Sequence, residues 1–337
     1  MGGGAPVSIQ SMTPFPARDT AANLALIEAL AREGCRLVRV AVPTEEDARA
    51  LKELTARSPL PVIADVHFST TIALLAVANG VACLRMNPGT LKGRHALETL
   101  ADACGKAGIC LRVGINAASL PRGLTADNPV AAMVEAAAAA CTRLDALGFS
   151  AFKVSLKASD PWQTLEANRR FSRDFDHPLH LGLTEAGLPL QGMLVSAAVM
   201  GSLLMDGIGD TLRMSLSGDP LAEVRALRRL LVGLDLLPGV RVVACPGCGR
   251  RQMDVEPLAR QVESLTASRT TRATVAVMGC PVNGPGEAAH ADIALVGATS
   301  GVQVFRKGVK TGSLPDAAAA MAALKEMLDE LDRDNPR

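Results

Sequence analysis

The residues best suited to chemistry lie near the C-terminal end. C-P-G-C-G (245–249) and M-G-C-P-V-N-G-P-G-E (278–287) set Cys245 and Cys248 two residues apart, then leave 31 residues before Cys280 and six before Glu287. A C-x-x-C pair alone is ambiguous between a redox dithiol, a zinc knuckle and a cluster site. Structural zinc takes four protein ligands, usually a second C-x-x-C or a Cys/His pair. After residue 238 the only further cysteine is Cys280 and the only histidine is His290. Three thiolates with one non-cysteine ligand suit an iron–sulphur cluster that has one distinctive iron. On spacing alone, zinc and a redox dithiol remain open. The other cysteines, Cys35, Cys83, Cys104, Cys110 and Cys141, are expected to pack as small apolar residues.

A second set of chemical residues interrupts apolar runs. Arginine breaks V-R-V (Arg39), L-R-M (Arg85), L-R-V (Arg112) and L-R-M (Arg213). Asp65 and His67 close another run, Asn87 and Asn116 end two, Lys157 and Glu185 end two more, and Ser215 follows Arg213 by two. Alternate strand residues point the same way. So Arg85 with Asn87, Asp65 with His67, and Arg213 with Ser215 each present two groups to one side. A salt bridge such as Arg39 with Asp65 would explain one arginine. It does not explain the set, because Arg39, Arg85, Arg112, Arg213 and Lys157 outnumber Asp65 and Glu185. Buried unpaired cations are costly, and arginine forks match phosphate oxygens. The set predicts a small anionic substrate with more than one phosphate.

The elements that must position these groups repeat from residue 7 to about 235. The apolar runs are VSIQSM (7–12), LVRVAV (37–42), PVIADV (61–66), CLRMN (83–87), LRVGIN (111–116), FKVSLK (152–157), LHLGLTE (179–185) and TLRMSL (211–216). Amphipathic stretches such as TAANLALIEALAREG (20–34) separate them, and Gly34, Gly80, Gly108 and Gly148 follow four of these stretches as C′ glycines. About eight βα units over some 230 residues predict a (β/α)8 TIM-type barrel, with the catalytic groups at the C-terminal strand ends. A doubly wound open sheet would carry a Gly-rich first turn, and no G-x-G-x-x-G follows VSIQSM. Asn87-Pro88-Gly89 and Asp206-Gly207-Ile208-Gly209-Asp210 read as mouth loops. The pattern changes after Pro238-Gly239. Residues 1–238 are therefore read as the barrel and 239–337 as a small α+β domain. Its expected strands are 240–245, 273–279, 291–297 and 302–308, and its expected helices are 255–265 and 315–331.

The chain has 337 residues and a formal net charge of +1, so the basic footprint of a nucleic-acid binder is missing. Tyrosine is absent and Trp162 is the single tryptophan, which argues against base-stacking platforms. No apolar run reaches the ~18 residues of a membrane span. MGGGAPVSIQSM has neither a basic n-region nor an apolar h-region. A cytoplasmic protein is expected, its cysteines serving as thiols or metal ligands.

The sequence closely resembles the bacterial 4-hydroxy-3-methylbut-2-en-1-yl diphosphate synthases of the non-mevalonate isoprenoid pathway. The matching stretches include SIQSMT (8–13), VRVAVP (38–43), ADVHF (64–68), LRMNPG (84–89), RVGINAASL (112–120), SLKASD (155–160), HLGLTEAG (180–187), DGIGDTLRMSL (206–216), CPGCGR (245–250) and VMGCPVNGPGEAAHADI (277–293). They follow the family's order over nearly the whole chain. Val195 stands where relatives generally have lysine. The resemblance implies a TIM-type barrel followed by a ferredoxin-like iron–sulphur domain, with a 4Fe-4S cluster on Cys245, Cys248, Cys280 and Glu287. It implies reductive ring opening of 2-C-methyl-D-erythritol 2,4-cyclodiphosphate. It assigns substrate contacts to Arg39, Asp65, His67, Arg85, Asn87, Arg112, Asn116, Lys157, Arg213, Ser215 and Asn283, and acid/base work to Glu185. Reduced flavodoxin or ferredoxin is the expected electron donor, and a head-to-tail homodimer the expected assembly. The alternatives are a non-redox barrel enzyme for a phosphate or pterin substrate with a structural zinc module, or a catalytically impaired paralogue.

Overall fold

Helix starts are set by side chains that accept a first-turn N–H. In the computed structural model, which describes residues 2–91, 93, 95–120 and 128–334, Asp19, Thr44, Ser69, Asn128, Asp160 and Asp219 each do so. Prolines 129, 161, 189 and 220 occupy first-turn positions where the missing N–H costs nothing. Gly34, Gly80, Gly108 and Gly148 all take positive φ just past helix ends, as expected.

The chain divides into two units, one ending at Leu234 and the other starting at Asp235. The first contains β1 (Ser8–Met12), α1 (Thr20–Arg32), β2 (Leu37–Ala41), α2 (Glu45–Arg57), β3 (Val62–Asp65), α3 (Thr70–Ala78), β4 (Cys83–Met86), α4 (Ala96–Ala107), β5 (Cys110–Asn116), α5 (Pro129–Ala146), β6 (Phe152–Lys157), α6 (Pro161–Asp174), β7 (His180–Leu181), α7 (Pro189–Met205), β8 (Thr211–Leu212) and α8 (Pro220–Gly233). The strands are parallel in the order β6-β5-β4-β3-β2-β1-β8-β7, and a bridge between Val154 and Leu179 joins the two ends into a barrel. The apolar core lies between strands and helices. Val38, Val40, Ala64, Leu84, Met86, Val113 and Leu156 of the strands and Leu24, Ile27, Leu51 and Leu54 of the helices are all buried. Their alternates, Arg39, Asp65, Arg85, Arg112 and Lys157, therefore face inward.

Two expected strands are much shorter than their apolar runs. β7 and β8 keep only two ladder pairs, His180 with Thr211 and Leu181 with Leu212. Gly182 then turns away at φ 151 and Glu185 adopts φ 54. The 206–210 segment is a correction to the sequence reading. It links the end of α7 to the start of β8, at the floor of the barrel. There Asp210 Oδ2 accepts the Leu179 N–H at 2.7 Å, and a Cβ at Gly209 would lie 2.4 Å from Leu181. Gly209 serves packing of the floor, Gly207 takes a positive φ of 77° just past the end of α7, and neither lines the mouth.

The second unit contains β9 (Val240–Ala244), α9 (Val255–Thr266), β10 (Ala273–Met278), α10 (Gly284–Ala288), β11 (Ile293–Ala298), β12 (Gly301–Arg306), β13 (Val309–Leu314) and α11 (Ala317–Asp334). β9, β10 and β11 run parallel, and β12 and β13 add antiparallel. One sheet face packs Val275, Val277 and Leu295 on Val262 of α9 and Leu324 and Leu328 of α11. The other face buries Ala276, Ala294 and Val296 with Ala288 of α10. β13 was not anticipated. It is an exposed edge strand, VKTGSL, with no apolar alternation to reveal it.

Candidate active site

The inward residues at the C-terminal strand ends enclose a cavity of about 410 Å³. Arg39, Asp65, His67, Arg85, Arg112, Asn116, Lys157, Glu185, Arg213 and Ser215 all line it, with Ser155, Thr184 and Ser217 between them. Asn87, expected beside Arg85, does not. Its amide is used up in the turn after β4, donating to Ser119 Oγ at 2.8 Å and accepting from Gly89 N at 2.8 Å.

Asp65 is the hub of one side. Its Oδ1 accepts from Arg85 Nη1 at 2.9 Å, its Oδ2 faces Arg39 Nε at 3.6 Å, and His67 Nε2 lies 3.6 Å away. Burial opposes its ionisation, but the positive charges of Arg39 and Arg85 outweigh burial and hold the carboxyl well below the usual carboxylate range. Arg85 Nη1 also meets His67 Nε2 at 2.7 Å. Opposite, Arg213 Nε lies 3.5 Å from Glu223 Oε2. Met12 sulphur receives Arg39 Nη2 at 2.9 Å and Arg213 Nη1 at 3.4 Å, a weak acceptor shared by two cations.

The salt-bridge reading therefore holds for Arg39, Arg85 and Arg213, and fails for Arg112 and Lys157. Arg112 is 1% exposed, and its Nε and Nη1 have no hydrogen-bond partner. Burial pulls it well below its usual range, and Arg39 and Arg85 add to that. Lys157 is also pulled down by burial, and then by Arg112, Arg39, Arg213 and Arg85. Two inward glycines make room for these cations. A Cβ at Gly114 would lie 2.8 Å from Arg85 Nε, and one at Gly182 would lie 2.7 Å from Lys157 Nζ. At the rim, Phe68 and Glu185 both hold positive φ, 63° and 54°, which is costly for side-chain-bearing residues. Glu185 is exposed there, its carboxylate free to face the cavity.

In the second unit, register brings the two cysteine-bearing segments to one end of the sheet. Ala244 of β9 pairs with Val277 of β10, so Cys245 and Cys280 follow neighbouring strand ends. The Gly279 N–H donates to Cys245 Sγ at 3.2 Å. The Val282 and Asn283 amides, with Arg250, lower the Cys280 thiol below its usual value. Cys248 and Glu287 are exposed, and Glu287 lies on α10 just after Asn283, its N-cap. Among the described residues, no three His, Cys, Asp or Glu side chains gather closely enough to hold a single metal ion.

The GcpE TIM-barrel domain matches residues 1–228, and the GcpE protein C-terminal domain matches 241–330. The chain belongs to the GcpE family. The 4-hydroxy-3-methylbut-2-en-1-yl diphosphate synthase (flavodoxin) of Natranaerobius thermophilus is 43% identical over 337 residues, covering 98% of this chain and 95% of that protein. The synthase of the same name from Geobacter sulfurreducens is 44% identical over 331 residues, covering 97% and 94%. Among solved structures, dihydropteroate synthase from Thermus thermophilus superposes with a TM-score of 0.51 at 18% identity, over 68% of this chain and 93% of that one. At that identity the likeness concerns the barrel fold alone. Among the described residues, no helix is long and apolar enough to cross a membrane.

Sequence reasoning missed Glu223. It sits on the apolar face of α8, is 2% exposed, accepts from Leu216 N at 3.0 Å and Ser11 Oγ at 3.3 Å, and supplies the counter-charge to Arg213. The available signal was an acidic residue in register with Val224, Leu227 and Leu231 on one buried helix face. The cavity thus holds five cations against Asp65, Glu185 and Glu223, still a positive surplus.

Proposed function

We propose that this chain opens the ring of 2-C-methyl-D-erythritol 2,4-cyclodiphosphate reductively, with two electrons, to give 4-hydroxy-3-methylbut-2-en-1-yl diphosphate. The observation that carries the reading is the buried Arg112, whose Nε and Nη1 have no hydrogen-bond partner, with Lys157 at the same end of the barrel and neither cation held in an ion pair among the described residues. Phosphate oxygens supply the missing acceptors. The names of the full-length relatives support the same substrate class.

In this reading Arg112 and Lys157 take the phosphates directly. Asp65 holds Arg39 and Arg85 as a fixed fork, and Glu223 holds Arg213, so little side-chain order is lost on binding. Binding energy from the phosphates then positions the reacting carbon–oxygen bond. Asn116, His67 and Ser215 supply polar contacts along the wall, and Asn283 a contact from its own loop. Glu185, at the exposed rim, delivers a proton to the departing oxygen. Asn87 acts at one remove, by fixing the turn after β4.

The residues of the second unit fit a 4Fe-4S cluster. Cys245, Cys248, Cys280 and Glu287 would hold it, and amide N–H groups already point at the Cys245 and Cys280 sulphurs, the hydrogen bonding that tunes such centres. A four-iron cluster gives each donor its own iron, so the donors need not converge on one point as they do for zinc. When bound, the cluster supplies electrons and a Lewis-acidic iron. Reduced flavodoxin, the donor in the relatives' names, or a ferredoxin provides the electrons. A cytoplasmic homodimer is the proposed working form.

The test is anaerobic. The chain is loaded with iron and sulphide, and assayed with the cyclic diphosphate and reduced flavodoxin. About four irons with matching sulphide, and the linear diphosphate by mass spectrometry, are expected. One zinc and no iron uptake would favour the non-redox barrel enzyme. A loaded chain that binds the cyclic diphosphate without turnover would favour the impaired paralogue.

A further inference from the structure

Five cysteines lie outside the second unit, and three of them behave as packing groups. Cys35, Cys104 and Cys141 are buried, and burial pushes their thiols up to about 11, 12 and 12. Cys83 and Cys110 differ. They open the adjacent parallel strands β4 and β5 and are direct register partners. Each precedes an inward arginine by two residues, Arg85 and Arg112, so both side chains point into the barrel at its floor. Each thiol leans on its own strand, Cys83 Sγ on the Leu84 carbonyl at 3.8 Å and Cys110 Sγ on the Leu111 carbonyl at 3.6 Å. Neighbouring strands run ~4.8 Å apart, inside the roughly 4.4–6.8 Å window of Cα separations that disulfides span. Lys153 of β6, itself 1% exposed, bears on both thiols with its positive charge. Cys110 is half-buried, whereas Cys83 is 3% exposed.

We propose that Cys83 and Cys110 form a hydroperoxide-sensitive dithiol at the barrel floor, which closes to an intramolecular disulfide. Cys110 is the attacking group because it is the more accessible of the two. The neighbouring Cys83 thiol, with Lys153 and Arg112 behind it, holds the Cys110 thiol below its usual range against the effect of burial. The thiolate attacks the peroxide, forming an S–O bond as the O–O bond breaks and hydroxide leaves to take up a proton. Cys83, having given up its proton, then attacks the Cys110 sulphur. The S–S bond forms, the S–O bond breaks and a second water leaves. Two electrons pass from the two thiols to the peroxide, and an external dithiol reverses the change. The site is separate from the mouth cavity, and neither cysteine lines that cavity.

Peptide mapping of the full chain tests this without any variant. After brief hydrogen peroxide treatment, alkylation and trypsin, the peptides 58–85 and 107–112 should appear as one species, two hydrogens lighter than their sum and separable by dithiothreitol. Cys104 and Cys141 should remain reduced. Cysteines 245, 248 and 280 fall in other peptides, so their oxidation does not interfere. Before treatment, Cys110 should alkylate at least ten times faster than Cys141 at neutral pH. In Cys83→Ser, Cys110 should instead stop at sulfenic or sulfinic acid. Equal alkylation of Cys110 and Cys141, or peroxide consumption with no 58–85/107–112 link, would overturn the proposal.

Discussion

Replacing Lys157 by Met should move stability and binding in opposite directions. The side chains are similar in length, so packing is largely kept. A sphere of about 410 Å³ is roughly 9 Å across, and two like charges at that distance repel by about 1.8 kcal/mol at an effective dielectric of 20. Arg39, Arg85, Arg112 and Arg213 all bear on Lys157, and Asp65 and Glu223 offset about half of them. Removing the ammonium should therefore stabilise the ligand-free barrel by about 2–4 kcal/mol, together with part of its desolvation cost. The same change removes a charge-assisted contact worth roughly 1.5–3 kcal/mol, which is about a 10- to 150-fold loss of affinity. Calorimetry reads both quantities, as the barrel's unfolding transition without ligand and as titration with the cyclic diphosphate or pyrophosphate. A destabilised Lys157→Met with unchanged affinity would mean that Lys157 has a structural partner and the anion-site reasoning is wrong.

Three further outcomes follow from the same geometry. Gly114→Ala should force the Arg85 guanidinium off Asp65 and His67, weakening anion binding at least tenfold; wild-type affinity in a folded variant would show that the fork is not preorganised. Asp65 is held below its unfolded pKa of about 3.9, so its contribution is complete above that pH and is lost as pH falls further. Denaturation between about pH 5 and pH 2 should give a shallower acid limb in Asp65→Asn, and an unaltered slope would count against the Arg39–Asp65–Arg85 hub. Cys280→Ser should abolish cluster assembly and leave the barrel folded, whereas Glu287→Gln should keep the three thiolates and yield an iron-deficient cluster. Iron counting and low-temperature EPR distinguish these, and a four-iron Glu287→Gln variant with wild-type turnover would remove Glu287 from the ligand set.

The barrel was legible because its two faces differ chemically. Along V-R-V or L-R-M the outward residues are apolar and the inward one is charged, so a period of two with arginine at the odd position marks both strand and site. The last two strands read too long because the runs at 179–185 and 211–216 stay apolar after the ladder ends; Gly182, yielding space to Lys157, is where the chain leaves it. The loop at 206–210 was misplaced because glycine-rich turns look alike at either end of a barrel, and only the order helix-then-strand puts it on the floor. Cys83 and Cys110 looked like packing residues because sequence separation hides register: 27 positions apart, they are neighbours across β4 and β5.

Glu223 and Asn87 show why a list of inward residues describes the site incompletely. The pocket's charge is set as much by groups behind the wall as by those on it. Asp65, on the wall, pairs two arginines from neighbouring strands, and Glu223, on a helix behind it, pairs the third. These pairs fix three guanidinium groups without neutralising the cavity, since each keeps donors free for a ligand. Arg112 and Lys157 carry the remaining surplus, and neither is held in an ion pair of its own among the described residues. The division is economical in structural terms. Paired cations give a rigid fork whose geometry survives without ligand, and unpaired cations provide the drive for binding. An uncharged molecule of the same shape would meet the fork but leave Arg112 and Lys157 uncompensated, so discrimination for phosphate should reside mainly in those two residues.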